Sequence, residues 1–330
     1  MEKFDFIGIG DITTDAFILL QDAEVNCGMD KESCTISMRW GDKIPFERAV
    51  EVPAVGNSVN ASFSARRLGL KSAILTNVGD DKNGRVCIDA LNNENVDTSL
   101  VEIHKEKVTN YHYVLSFGAE RTILIKHEHF DYSLPSFEPP KFIYLSSLAE
   151  NSLVFHKEIV NYLSENPEVK LAFQPGTFQI SLGYDALQGI YEHTEVFFCN
   201  VEEAMRILKM EKREDIKTIL REMHKRGPKI AVITDGIQGA YVHDGNDFIH
   251  MPPYPDPKPP VERTGAGDSF SSTFTSYLAL GHTIQEAIMR APINSMSVVQ
   301  HIGAREGLLT KENIEQLLKN APSDYNISII

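Results

Sequence analysis

Two rhythms of apolar and polar positions run along this chain. The apolar run Phe4 to Ile9 stops at Gly10-Asp11, which predicts a strand closed by a turn. Ser58 to Leu68 carries a helical pattern, with Gly69 at the C-terminal cap position. Lys71 to Val78 reads as a strand ending in Gly79-Asp80-Asp81, and Gly84 to Glu94 as a helix. Beyond residue 140 strand and helix patterns alternate. Lys141–Leu145, Val169–Phe173, Glu195–Cys199 and Lys229–Thr234 predict strands, while Val154–Ser164, Val201–Leu208 and Asp215–Lys225 predict helices. Such βαβ alternation implies a mostly parallel sheet covered by helices.

Two stretches break that rhythm. Thr35 to Val55 and Ser99 to His127 are rich in β-branched and aromatic residues. Within the second, Tyr111–Phe117 and Thr122–Lys126 predict an antiparallel pair around the turn Gly118-Ala119-Glu120-Arg121. These zones are expected to form a small β sheet, from about residues 26–53 and 100–128, projecting as a lid from a single α/β domain over 1–330.

Composition narrows the picture without changing it. The 330 residues suffice for a core that needs no disulfide or metal staple. No apolar run approaches the ~20 residues of a membrane helix. Met1 to Gly10 carries Glu2, Lys3 and Asp5, unlike a secretory leader, so a cytoplasmic protein is expected. The formal charge of −14 disfavours nucleic acid and anionic membranes as partners. Cys27, Cys34, Cys87 and Cys199 fit no zinc template and are expected as free thiols. Gly8-Ile9-Gly10 starts like a dinucleotide fingerprint, but Thr13 stands where its third glycine would fall.

The most informative chemistry lies late in the chain. Met251 to Pro260 holds prolines 252, 253, 255, 257, 259 and 260, a stiff, extended segment. It leads into Val261-Glu262-Arg263-Thr264-Gly265-Ala266-Gly267-Asp268 and then a helix-forming stretch closed by Gly281. Small residues at a helix start let backbone N–H groups approach a phosphate or a developing anion. Asp268 beside them has two readings. It could accept the proton of an attacking hydroxyl, or it could simply cap the helix.

Gly-Ala-Gly-Asp opening a late helix resembles the ribokinase-like, or PfkB, carbohydrate kinase family. Further landmarks follow in that family's order. They are Gly10-Asp11-Ile12-Thr13-Thr14-Asp15, Val55-Gly56-Asn57-Ser58-Val59-Asn60, Gly79-Asp80-Asp81-x-x-Gly84, Asn200-Val201-Glu202-Glu203, Thr234-Asp235-Gly236-x-x-Gly239 and Ile302-Gly303-Ala304. The resemblance spans nearly the whole chain. It implies a three-layer α/β/α sandwich and ATP-dependent phosphorylation of a sugar hydroxyl. It makes Asp268 the general base, with Gly265, Ala266 and Gly267 as the anion hole. Asn200 and Glu203 would order water around Mg²⁺, while Thr234, Gly236, Gly239, Arg263, Thr264 and Asn294 would line the ATP site. Asp11, Asp15, Gly56, Asn57 and Asn60 would hold the sugar, as carboxylate and amide groups suit hydroxyls. A homodimer through the lid is also implied. Nucleoside kinases share the fold, and a catalytically silent sugar or nucleotide sensor would share the binding residues.

The chain departs from the family at two places. Glu262 replaces the aspartate that faces a monovalent cation such as K⁺ in relatives, and Arg263 follows it. The longer acid leaves two outcomes: K⁺ at Glu262, or an arginine charge in its place, with Arg263 meeting phosphate or Glu262. Val55 stands where the substrate motif usually has its first glycine. Arg39, Lys43, Arg121 and Lys126 are expected as solvated edge charges rather than contacts to an anionic substrate. His112, His127 and His129 are expected as solvated lid residues. Trp40, Phe46 and Tyr113 could stack a nucleobase or merely pack.

Overall fold

The computed structural model describes residues 3–27, 34–118 and 120–330. In chain order the strands are β1 (Phe6–Ile9), β2 (Thr13–Leu20), β3 (Glu24–Cys27), β4 (Cys34–Ser37), β5 (Phe46–Val55), β6 (Ser72–Gly79), β7 (Val101–His104), β8 (Asn110–Phe117), β9 (Glu120–Leu124), β10 (Phe142–Leu145), β11 (Lys170–Phe173), β12 (Thr194–Asn200), β13 (Ile230–Thr234), β14 (Ala240–His243), β15 (Phe248–Met251) and β16 (Ser328–Ile329). Among the described residues ten of them form one sheet, ordered β16-β15-β14-β13-β12-β11-β10-β1-β6-β7. Pairs from β7 to β13 are parallel, and the β14–β16 edge is antiparallel.

Successive side chains of a strand point to opposite faces, so an unbroken apolar strand needs cover on both sides. Ile7, Ile143, Leu171 and Phe197 pack on one face against Phe155, Ile159, Leu187 and Met223 of helices Leu153–Glu165, Tyr184–His193 and Ile216–His224. Phe6, Phe142, Val196 and Val232 pack on the other against Phe270, Phe274 and Ile288 of helices Ala266–Ala279 and Ile284–Val298. The three-layer α/β/α arrangement follows. Burying each large apolar side chain contributes about 1.5–3 kcal/mol. No helix among the described residues is long and apolar enough to cross a membrane.

The second sheet has the order β5-β2-β8-β9 and stands apart from the first, as a lid would. Its composition differs from the sequence expectation in two ways. The pattern Thr-Thr-Asp-Ala-Phe-Ile-Leu-Leu lacks two-residue alternation, yet Thr13–Leu20 is a central lid strand between β5 and β8. Strand β7, expected in the lid, instead extends the main sheet parallel to β6, with Thr76 opposite Val101. The expected lid residues 28–33 and Ala119 of the expected turn lie outside the described residues. The β3–β4 ladder sets Cys27 directly opposite Cys34, and the two form a disulfide, correcting the expectation of free thiols. Cys87 and Cys199 are free and buried.

One landmark turns out to brace the lid. Asp81 caps helix Lys82–Asn93 by accepting from the Gly84 N–H at 2.8 Å. The same carboxylate accepts from Thr109 Oγ1 at 2.7 Å and Thr109 N at 3.1 Å, at the foot of β8. Burial would raise its pKa, but these hydrogen bonds outweigh burial and hold it low. Its contribution is therefore present above the ordinary aspartate range and is lost as pH falls through the lowered folded value. Asp81→Ala should cost about 1–2 kcal/mol in urea unfolding, the usual value of an N-cap.

Candidate active site

In a parallel sheet every strand's carboxyl end meets the same edge, which is where such folds bind ligands. Here Asp11 follows β1, Ser147 lies just past β10, Gln174 follows β11, and Asn200 and Thr234 end β12 and β13. Asn200 and Thr234 are register partners. Helix Ala266–Ala279 points its N-terminus at this edge, and Gly265 caps it with φ +80°. A Cβ on Gly265 would sit 2.3 Å from Ala304 Cβ, so the turn depends on glycine both for its conformation and for its close packing. A Cβ on Gly267 would meet only Gln174 Nε2, at 3.8 Å, so that position borders open space.

Asp268 is buried at 8% exposure in the first turn of this helix. Its carboxylate accepts from Asn57 Nδ2 at 2.7 Å, Asn60 Nδ2 at 2.8 Å and Gln174 Nε2 at 3.0 Å. Gln174 is fixed in turn by Tyr144, whose hydroxyl also bonds Ser271 Oγ at 2.6 Å. Burial, then the nearby Asp268 charge, pushes the Tyr144 phenol pKa far up, so it stays a donor.

Two adjoining cavities meet here. One, of about 470 Å³, runs from the lid to Asp268 and is lined by Asp15, Gly56, Asn57, Asn60, Asn200, Glu203, Thr264, Gly265 and Gly267 among others. The other, of about 370 Å³, is walled mainly by apolar groups, including Ile237, Pro253, Tyr254, Pro292, Met296 and Val299, beside Gly236, Gly239 and Ala266. Thr234, Arg263, Gly267 and Phe270 line both. The arrangement suits a flat, largely apolar ligand with a charged end passing Arg263 toward Asp268.

Two expected site residues stand elsewhere. Asp11 does not line the cavity; it accepts from the Tyr132 hydroxyl at 2.8 Å and lies 3.0 Å from His127 Nδ1. Asn294 is fully buried, donates to Thr273 Oγ1 at 2.8 Å and accepts from Leu309 N at 2.9 Å, so it ties helices together behind the cavity.

Several residues join the site that sequence reasoning placed elsewhere or passed over. His112 and His127 are not solvated: their side chains are 13% and 11% exposed and both line the cavity that runs from the lid to Asp268. His112 Nδ1 lies 3.3 Å from Asp15 Oδ1. His129, by contrast, is exposed. Arg121, Ile123, Ile125 and His127 all line the cavity. Their two-residue spacing on extended backbone puts them on one face, a signal readable in advance. Gln174 could have been found as the first residue past a parallel strand. Trp40, Phe46 and Tyr113 are exposed on the lid, and none of them lines the cavity.

Asn200 and Glu203 form a capping box. Asn200 Oδ1 accepts from Glu203 N at 2.8 Å, and Glu203 Oε2 accepts from Asn200 N at 3.0 Å. This explains the spacing structurally, yet Glu203 also borders the cavity, and burial raises its pKa. A half-buried carboxylate that borders the cavity fits Mg²⁺ held through water, since Mg²⁺ keeps much of its hydration. Glu262 is different. Its Oε1 accepts from Thr264 N at 2.7 Å and from Thr264 Oγ1, and its Oε2 accepts from Gly303 N at 3.2 Å. Arg121, and not Arg263, supplies its ion pair. Its two oxygens are thus taken up by N–H and O–H donors and face a guanidinium, a setting that does not favour K⁺.

Comparison with known proteins shows the family and the fold. The model of the pfkB family carbohydrate kinases matches residues 41–311. Ribokinase of Bacillus subtilis is 25% identical over 269 residues, covering 80% of this chain and 87% of that protein. Arabidopsis thaliana ribokinase, solved with ribose and ATP, superposes with a TM-score of 0.79 at 17% identity, covering 96% of this chain and 99% of the other. The nucleoside kinase of Methanocaldococcus jannaschii, an archaeal member of the ribokinase family, gives 0.76 at 18% identity, covering 97% and 100%.

Proposed function

The chain belongs to the pfkB family of carbohydrate kinases, and on that premise we propose that it transfers the γ-phosphate of ATP to a hydroxyl of a sugar or sugar derivative, with Asp268 as general base. The observation that carries this reading is the position of Asp268. It lies at a helix N-terminus where the two cavities meet, its carboxylate held by amide groups from Asn57, Asn60 and Gln174.

The acceptor sits in the cavity under the lid, against Asp15, Asn57 and Asn60. Its hydroxyl replaces one amide donor at Asp268 and gives its proton to that carboxylate as the oxygen attacks the γ-phosphorus, whose bond to the β–γ bridging oxygen breaks to release ADP. Nucleotide occupies the second cavity, its phosphates passing Arg263 to the Gly265–Gly267 turn. The N–H groups of that turn meet charge developing on the transferred group. Ile123 and Ile125 of the lid cover the cavity and help keep water from taking the phosphoryl group. Asn200 and Glu203 would orient the water of Mg²⁺, which when bound would neutralise charge on the phosphates.

The test is ADP release over a panel of sugars, sugar phosphates, sugar acids and nucleosides with Mg²⁺. A saturable acceptor among the sugars or their derivatives supports the reading. Silence across the panel with ATP still binding would replace it with a sensor role. Preference for a nucleoside would replace the acceptor class.

Glu203 offers a separate check. Glu203→Gln should raise the Mg²⁺ concentration for half-maximal turnover by about 10–100-fold, as loss of an outer-shell partner does. Burial raises the Glu203 pKa, so its charged form fades on acidification sooner than an ordinary glutamate's. Turnover should therefore fall on the acid side at a pH above the usual 4.5, and the variant should lack that limb.

A further inference from the structure

Glu262 lies on the turn that opens the anion-hole helix, and it is buried at 7% exposure. Its two oxygens bind N–H groups from two loops, Thr264 on its own turn and Gly303 opposite. Gly265 packs directly on Ala304, next to Gly303. The carboxylate therefore fixes the spacing between the anion-hole turn and the 302–304 turn. Backbone N–H groups carry only partial charge. The full counter-charge comes from Arg121, with Nε 3.6 Å from Glu262 Oε1. Arg121 belongs to β9, in the lid. Its Nε has no hydrogen-bond partner among the described residues, and its side chain borders the acceptor cavity.

We propose that Arg121 is a positioning residue that neutralises Glu262 from the lid, so that the anion-hole turn is set by lid closure and not by a bound monovalent cation. This rests on the kinase reading above. Two features support it. The groups that meet Glu262 are the N–H groups of Thr264 and Gly303, the Thr264 hydroxyl and a guanidinium, and the N–H groups and the guanidinium turn positive charge toward the place a cation would take. The arginine also arrives on the element that covers the acceptor. With the lid displaced, Glu262 becomes a buried carboxylate without its cation, and the turn that must stabilise the transferring group loses its setting. Chemistry is thereby confined to the closed state, in which water is excluded.

The experiment has two arms. In the first, melting temperature and ATP affinity of the wild type are measured in equal concentrations of K⁺ and tetramethylammonium, with no acceptor present. We expect ATP affinities within twofold and no K⁺-specific rise in melting temperature. A K⁺-specific rise, or a tenfold tighter ATP complex in K⁺, overturns the proposal. In the second, Arg121→Ala and Arg121→Lys are compared with an acceptor that the wild type turns over. Arg121→Ala should lose about 10²-fold in kcat with ATP affinity within threefold. Lysine should restore part of it. Millimolar guanidinium should rescue the alanine variant severalfold, and K⁺ should not. Turnover of Arg121→Ala within twofold of wild type, or rescue by K⁺, overturns the proposal. Absence of turnover with every acceptor counts against the kinase reading, and the role of Arg121 is then read from the melting temperature of Arg121→Ala, which should fall in both salts and which overturns the proposal if it matches wild type or recovers in K⁺.

Discussion

Replacing Asp268 by asparagine is expected to lower kcat by about 10²-fold or more while ATP affinity stays within a few-fold of wild type. The geometry sharpens the reason. The carboxylate presents two oxygens to three amide donors, from Asn57, Asn60 and Gln174. An asparagine offers one acceptor oxygen and turns an NH₂ group toward donors that cannot receive it. The variant thus loses the base and also disturbs the amides that border the acceptor. If ATP enters through the other cavity, as proposed, it meets a wall that Asp268 does not line, which is why nucleotide affinity should survive. The measurements are steady-state ADP release and calorimetric ATP binding. Turnover near wild type would remove Asp268 as the base. A large loss of ATP affinity would make the residue a structural post for the turn.

Much of the fold was legible because each parallel strand is a short apolar run bounded by turns. Val201–Leu208 forms the helix the pattern predicts. The lid was less legible. Thr13–Leu20 follows β1 after only three residues and carries no period-2 signal, so the local pattern assigns it no strand of its own. Its identity comes from tertiary pairing with β5 and β8, which a local pattern does not contain. Strand β7 was misplaced for the same reason, since its four residues could join either sheet on propensity alone.

The site divides along the same line. Motif residues close in sequence to a turn, such as Asn57, Asn60 and Asp268, come together in the structure. Asp11 and Asn294 carry the right chemistry but are spent on other partners. Whether a carboxylate faces a ligand or a neighbouring histidine depends on what the fold brings against it. His127 is 116 positions from Asp11 along the chain, and Arg121 is farther still from Glu262, so neither pair is visible in a local motif. A lid histidine or arginine at a sheet edge looks solvated until the lid is seen folded over the cavity.

Two glycines of one turn should fail in opposite ways, and the contrast is the strongest test of the anion hole. Gly265 stands at φ +80°, and any Cβ there would press on Ala304 Cβ at 2.3 Å. Gly265→Val should therefore unsettle the fold itself. About 1–3 kcal/mol is expected from the backbone conformation alone, with further loss from the clash. Gly267 lies within the helix, with no positive φ and no neighbour nearer than 3.8 Å to a Cβ. Gly267→Val should leave urea stability unchanged or slightly higher, because glycine is a poorer helix former than valine. Its isopropyl group would instead stand where the two cavities join, between Arg263 and Asp268. There it would shield the turn's N–H groups from the transferring phosphoryl, a loss worth about 10²–10³-fold in kcat when one such donor is removed. A stable, nearly inactive Gly267→Val beside an unstable Gly265→Val would assign one glycine to the build of the turn and the other to the space in front of it. An active Gly267→Val would mean that the phosphoryl group crosses elsewhere, and the anion hole would have to be sought outside residues 265–267.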